Sequence, residues 1–230
     1  MHALRTSPVT LGAPAAVFGA GPIGLLTMAV ARASGAHPII ITDLDEGRLA
    51  FARRFEPRCL THRIEKGDSP EQSARKIRRL FAGAAAQGEG ENDREEEVDE
   101  YHMPQVVLEC TGVESSIATA AYTARRGGTV NVVGVSPRIT IDNVPFMHMS
   151  LAEIKLLFIN RYHATWPAAI RAIEGGLIDP EKLDMMVTHR FRLDEAIEAM
   201  TLVGGKARPA GGDPVVKVQI VDDGASPLGG

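Results

Sequence analysis

The chain has 230 residues, 44% of them hydrophobic, with a mean hydropathy of −0.03; that is enough apolar material for a buried core in one or two domains and too much for a disordered chain. A net charge of −4 leaves no electrostatic footprint for nucleic acid, and the one dense charge run, EGENDREEEVDE at 89–100, holds eight acids and one Arg. Two cysteines, Cys59 and Cys110, fit a reduced compartment better than a disulfide scaffold.

From Leu11 to Ala31 no charged side chain occurs over 21 residues, long enough to test as a membrane span. Gly12, Gly19, Gly21 and Gly24 with Pro14 and Pro22 break it into pieces of strand and helix length, and the N-terminal MHALRTSP has no continuous apolar core of a secretory signal. The chain therefore reads as cytosolic, with no membrane partner.

In chain order, the predicted strands are Ala15–Phe18, Pro38–Thr42, a short one near Cys59–His62, then Gln105–Cys110, Thr129–Val133 and Lys155–Ile159. Helical stretches fall between them at Pro22–Ser34, Glu46–Phe55, Glu71–Phe81 and Ser115–Arg125. That alternation predicts an α/β fold, a doubly wound parallel sheet of the Rossmann type with helices on both faces. Residues 83–104 turn Ala/Gly-rich and then acidic without apolar periodicity, and read as a solvated, disordered insertion. A helix near Asp194–Val203, the segment GGKARPAGGDP and a final strand Val215–Val221 follow, and 222–230 reads as a loose tail.

The stretch VFGAGPIGLL sets Gly19, Gly21 and Gly24 directly after the first strand and at the start of the first long helix. Gly19 permits a tight turn, Gly21 lets the backbone approach a pyrophosphate, Gly24 lets helix and strand pack closely, and Pro22 suits the first helical position. N–H groups at a helix start supply an anion site. Asp43 ends the second predicted strand 19 residues beyond Gly24, close to the spacing of the acid that bonds a ribose hydroxyl. A 2′-phosphate about 4 Å from that carboxylate would meet a repulsion on the order of 4 kcal/mol at an effective dielectric near 20, so Asp43 favours NAD over NADP. The alternatives are a helix N-cap role for Asp43, which Asp45 could also fill, and an S-adenosylmethionine site. Two further strand ends, LECTG with Cys110, Thr111 and Gly112, and VVGVS with Val133, Gly134 and Val135, lie where a doubly wound sheet places ligand contacts. Ordinary turning with a buried cysteine is the other reading of Cys110.

VFGAGPIGLL, ITDLDEGRLAFA, ECTGVESSI, VVGV and RYHATWPAAIRAIEGGLID followed by VTHRF together resemble the cofactor half of the medium-chain, zinc-dependent polyol dehydrogenases. The likeness is closest to the L-arabinitol 4-dehydrogenases, then to xylitol and sorbitol dehydrogenases. The resemblance implies a cytoplasmic oxidoreductase that passes hydride from a sugar alcohol to NAD. It implies Pro22 and Ile23 at the pyrophosphate, Asp43 at the adenosine ribose and Arg48 at the adenine face. Val133–Gly134–Val135 and Ile159–Asn160–Arg161 would frame the nicotinamide side, and Arg161 with Tyr162 would reach the polyol. Read from the residues alone, Arg48 is also a solvated helix residue pairing with Asp45, and Arg161 also a surface cation.

The family carries an aromatic where Asn160 stands and Cys-Asn where His163 and Ala164 stand. Its N-terminal catalytic domain, which supplies the zinc ligands, has no counterpart in these 230 residues, so zinc is expected only in a complete family enzyme, and a non-catalytic NAD-binding module is the alternative function. Cys59 and His62 have a C-x-x-H spacing with no second ligand pair, and no metal is expected on this chain. The resemblance divides the chain into an NAD-binding domain at 1–186, a segment at 187–221 that would return to the catalytic domain with its apolar side exposed, and the tail. It also puts Lys155–Ile159 at a sheet edge where related enzymes pair subunits, which predicts a homo-oligomer.

Overall fold

Four consecutive buried residues, Ala15–Phe18, form the central strand β1. It pairs in parallel with β2 (Ile39–Asp43) on one side and β4 (Val106–Glu109) on the other. With β3 (Leu60–Arg63), β5 (Thr129–Val132) and β6 (Lys155–Phe158) they make a six-stranded sheet in the order β3-β2-β1-β4-β5-β6, parallel throughout. The near-continuous apolar runs AAVF, IIIT and VVL are what a parallel sheet covered on both faces requires. This is the doubly wound α/β fold expected. Residues 1–85, 99–136, 138–205 and 214–222 are described by the computed structural model, which divides into two units, Met1–Ile178 and Asp179–Gly230.

The first unit carries α1 (His2–Thr6), α2 (Pro22–Ala33), α3 (Glu46–Phe55), α4 (Pro70–Ala85), α5 (Glu114–Thr123), α6 (Phe146–Leu151) and α7 (Trp166–Glu174). Pro22 opens α2, and Gly35 at φ +92° follows its last residues. In α4, Ser69 Oγ accepts the Gln72 amide and Gln72 Oε1 accepts the Ser69 amide, a reciprocal cap. Phe18, Val107, Ile77, Phe81, Ile117 and Val130 close the core where α4 and α5 cover the sheet.

The register sets Phe18 opposite Thr42 and Glu109, Glu109 opposite Val132, and Val132 opposite Phe158. The carboxyl ends of five strands are thus level. Chain order runs outward from β1 in one direction and then, from β4, in the other, which opens a crevice beyond the ends of β1 and β4.

Element boundaries depart from expectation where sequence periodicity is weak. α4 starts at Pro70 and extends to Ala85, because alanines continue a helix at little cost in side-chain entropy, and Glu100–His102 form a 3-10 turn inside the stretch expected to be loop. Residues 86–98 of that stretch, like 206–213 and the tail from 223 onward, lie outside the described residues. The third strand begins at Leu60 and leaves Cys59 buried just before it, its thiol directed to Ala52 O at 3.6 Å. α1 and α6, of five and six residues, are too short to show a period.

The second unit contains α8 (Pro180–Met185), β7 (Val187–Arg192), a 3-10 turn at Leu193–Glu195, α9 (Ala196–Val203) and β8 (Lys217–Val221). Strands β7 and β8 pair in parallel with a register shift between Val187 and His189. Leu193, Ile197, Met200 and Val203 are exposed there. No described helix is long and apolar enough to cross a membrane.

Candidate functional site

The turn after β1 is built from three glycines with three different constraints. Gly19 adopts φ +96° and donates its amide to Thr42 O at 2.8 Å, fixing the turn against the end of β2. At Gly24 a Cβ would lie 1.8 Å from Gly19 O, so the first turn of α2 sits directly on the strand it leaves. Gly21, the N-cap of α2, has ordinary extended backbone, and a Cβ built on it meets nothing within 4 Å. Among the described residues the space beside Gly21 is therefore open, and no side chain caps the first amides of α2. That combination fits an anionic group seated on backbone N–H donors.

Asp43 closes one side of this turn. Its Oδ2 accepts the Ala20 amide at 2.8 Å and its Oδ1 accepts the Asp45 amide at 3.0 Å. Asp45 is the residue that caps α3, accepting the Arg48 amide at 2.9 Å, so the N-cap alternative for Asp43 falls away. Each Asp43 oxygen keeps a lone pair for a hydroxyl donor. The Arg48 guanidinium stands 3.9 Å from Asp43, not paired to Asp45 through its side chain.

At the end of β4 lies a residue that sequence reasoning passed over. Glu109 is fully buried and accepts from the Thr111 amide (2.9 Å), the Thr111 hydroxyl (2.5 Å), the Gly112 amide (2.9 Å) and the Ser116 hydroxyl (2.8 Å). One carboxylate thereby holds the whole ECTG turn. The available signal was an acid closing an otherwise apolar strand, which demands local donors. Gly112 at φ +72° and Gly134 bring the ends of β4 and β5 into backbone contact: a Cβ on Gly134 would lie 2.1 Å from Gly112 N, and one on Gly112 would lie 2.5 Å from Val135 C. Thr111 also reaches the glycine turn, its Cγ2 lying 2.8 Å from where a Gly19 Cβ would be.

Cys110 is half-buried, its sulfur 3.8 Å from Thr27 Oγ1 on α2, and burial pushes its thiol up to about 12. It is a neutral packing thiol at physiological pH. Val133 and Gly134 are half-buried and Val135 is 88% exposed. Beside this strand end a cavity of about 650 Å³ is lined by Gly112, Glu114, Ser115, Ser136, Arg138 and Asn143 among others. Hydrogen bonds from Asn143, aided by Arg138, hold the Glu114 carboxyl below its ordinary range.

Ile159, Asn160, Arg161 and Tyr162 follow β6 at the far side of the crevice, Ile159 half-buried and the other three exposed. Arg161 has φ +56°. From β2 to β6 is four strand spacings, roughly 19 Å, so Asp43 and Arg161 do not form one compact cluster; a ligand touching both is extended. Cys59 and His62 do not converge on a metal, the thiol being turned to Ala52 O. Among the described residues no group of three or more His, Cys, Asp and Glu side chains is placed to hold a metal ion.

The family model for zinc-binding dehydrogenases matches residues 22–175. The L-arabinitol 4-dehydrogenase of Aureobasidium melanogenum is 44% identical over 223 residues, which are 97% of this chain and 54% of that protein. The zinc dependent alcohol dehydrogenase 2 of Streptococcus pneumonia, solved in its apo form, superposes with a TM-score of 0.73 at 26% identity, covering 97% of this chain and 56% of that one. A Sinorhizobium meliloti 1021 protein assigned as a zinc-binding dehydrogenase and bound to NADP superposes with a TM-score of 0.70 at 25% identity, over 96% of this chain and 55% of that one. The chain spans about half the length of the relatives it matches. Sheet order, glycine turn and the match over 22–175 agree, and the chain belongs to the zinc-binding dehydrogenase family.

Proposed function

We propose that the chain binds NAD and serves as the hydride-accepting half of a sugar-alcohol dehydrogenase, with a polyol of the L-arabinitol or xylitol type oxidised to a ketose. The observation that carries this reading is the open space beside Gly21 with Asp43 hydrogen-bonded to the same turn. In it, the pyrophosphate sits against Pro22 and Ile23 on the Gly21 and Ile23 amides, with Asp43 at the adenosine ribose and Arg48 at the adenine face. Cys110 and Thr111 line the middle of the crevice, and Val133–Gly134–Val135 with Ile159–Asn160–Arg161 frame the nicotinamide side, with Arg161 and Tyr162 toward the polyol. Bound NAD would take up the hydride leaving the carbinol carbon. The described residues do not fit a zinc site, and no step through zinc is assigned to them.

The extended crevice favours a dinucleotide over S-adenosylmethionine, which carries one nucleoside. The likeness to an NADP-bound protein makes the choice of nicotinamide cofactor the point to test. Calorimetry with NAD, NADP and S-adenosylmethionine decides it: tight binding of NAD alone is expected, and equal affinity for NADP, or preference for S-adenosylmethionine, overturns the reading.

A second reading, a non-catalytic NAD-binding module, is favoured by the lack of three convergent metal ligands among the described residues. It is separated from the first by NADH absorbance with L-arabinitol, xylitol and sorbitol in the presence of zinc. Neither reading expects turnover by this chain alone; turnover once the remaining half of a relative such as the L-arabinitol 4-dehydrogenase is supplied excludes the module, and NAD binding without turnover in that mixture supports it.

A further inference from the structure

We infer that Arg5 and Asn131 are positioning residues that hold the loop after β6, and with it Arg161 and Tyr162, in the conformation the nicotinamide side of the crevice needs. This rests on the NAD reading above. The loop needs an external hold because Arg161 at φ +56° and Ala164 at φ +47° both occupy the left-handed region, which side chains other than glycine rarely adopt. Such a conformation persists only where its surroundings impose it.

The surroundings here are α1. Arg5 Nη1 donates to Ala164 O at 2.7 Å and to His163 O at 3.3 Å, across more than 150 residues of sequence. The His2 ring meets the His163 ring edge-on with centroids 6.5 Å apart. A five-residue helix is not stable alone, so α1 must itself be fixed, and Asn131 fixes it. Asn131 is fully buried on β5, and its Nδ2 lies 3.0 Å from Ala3 O, 2.9 Å from Thr6 Oγ1 and 3.0 Å from Ser7 Oγ. Thr6 and Ser7 in turn donate their hydroxyls to Ala3 O, and Ala3 and Leu4 are buried. A polar residue in the middle of a buried strand is thus spent on docking α1, and the guanidinium that α1 presents is spent on two carbonyls of the β6–α7 loop. The loop lies at the carboxyl end of β6, on the same side of the sheet as the glycine turn at the end of β1.

Trp166, the one tryptophan of the chain, opens α7 directly after this loop and stands edge-on to Tyr162 with centroids 5.6 Å apart. Its emission therefore reports the loop. The test compares the full chain with Arg5→Met, Arg5→Lys and the double variant Arg5→Met with Ala164→Gly, measuring Trp166 emission and the affinities for NADH and for ADP-ribose, which lacks the nicotinamide. Expected for Arg5→Met are a shifted Trp166 emission and about tenfold weaker NADH binding, the size of one lost charge-assisted hydrogen bond, with ADP-ribose binding unchanged. Arg5→Lys restores part of the NADH affinity by keeping a cation at the two carbonyls. Ala164→Gly in the Arg5→Met background also restores part, since glycine enters the left-handed region without penalty.

Equal losses of NADH and ADP-ribose affinity, or unchanged NADH affinity in Arg5→Met, overturn the positioning role while leaving the cofactor reading intact. A parent chain that binds neither ligand removes the cofactor reading and the positioning role together.

Discussion

The Asp43 carboxylate accepts the Ala20 amide at 2.8 Å, so the acid that ends β2 and the glycine turn that follows β1 are one structure. A ligand seated on the turn would lie beside this carboxylate. Asp43→Asn keeps one acceptor oxygen and removes the charge. The variant is expected to lower the ratio of NAD to NADP affinity by about tenfold or more, a part of the roughly 4 kcal/mol like-charge repulsion that survives screening. Calorimetry with both cofactors measures it, and an unchanged ratio would show that Asp43 does not face the ribose.

Gly21 and Gly24 separate binding from folding. A methyl on Gly24 collides with Gly19 O, and Gly24→Ala is expected to cost about 3 kcal/mol of stability through forced backbone displacement. A methyl on Gly21 meets open space, so Gly21→Ala should cost about 1 kcal/mol or less, as for an exchange at a helix N-cap. Its cofactor affinity should nevertheless fall about tenfold or more, because the methyl fills the room a pyrophosphate would take. Urea unfolding and NADH titration on both variants check the pair; a Gly21→Ala protein that binds NADH as the parent does would place the ligand elsewhere.

Glu109 offers two oxygens to four donors. Glu109→Gln presents an amide NH₂ to groups that are themselves donors, leaving buried N–H or O–H groups unpaired at a cost of about 2–3 kcal/mol. The same variant should weaken cofactor binding, since the ECTG turn against Gly134 loses its anchor. Stability and NADH affinity falling together is the expected result, and a variant of parental stability refutes the anchoring role.

His62 supplies a pH dependence. Burial lowers its pKa below 6.5, Lys76 lowers it further, and Glu65 and Asp68 act in the opposite direction; its Nε2 is buried with no hydrogen-bond partner among the described residues. The native chain therefore binds this proton less readily than the unfolded chain. Stability is fully present above the unfolded value near 6.5 and is lost progressively as pH falls through it toward the lower native value. Urea midpoints from pH 7.5 down to pH 5 should decline in the parent and decline less in His62→Gln.

Among the described residues no strand pairs with the outer edge of β6, where Phe158 and, just before the strand, Leu151 are exposed. An open apolar edge is a template for a second strand, and we propose that a second copy of this chain pairs along it. Light scattering is expected to give a homodimer for the parent and a monomer for Leu157→Lys; a well-behaved monomeric parent, or a variant that stays a dimer, rules out this edge as the interface.

Much of the fold is legible in the order of residues along the chain. Buried runs such as AAVF and VVLE, separated by helical periods, require a parallel sheet, and Pro22, Gly24 and Asp43 declare strand, turn, helix and acid in order. These are local facts, since a strand's apolar run and a glycine's missing Cβ act within a few residues.

Short-range pattern thus suffices for the glycine turn, the succession of strands and helices, and the family. Packing in three dimensions is what separates the aspartate that caps α3 from the one that touches the glycine turn, because Asp43 and Asp45 differ only in where β2 ends. Packing likewise makes Glu109 the hub of ECTG and makes α1 a helix at all. Asn131 docks onto Ala3 from 128 positions away, and Arg5 reaches Ala164 from 159. Hydrogen bonds of that separation leave no periodic trace in the chain, because the partner that satisfies a buried polar group is chosen by packing and not by spacing.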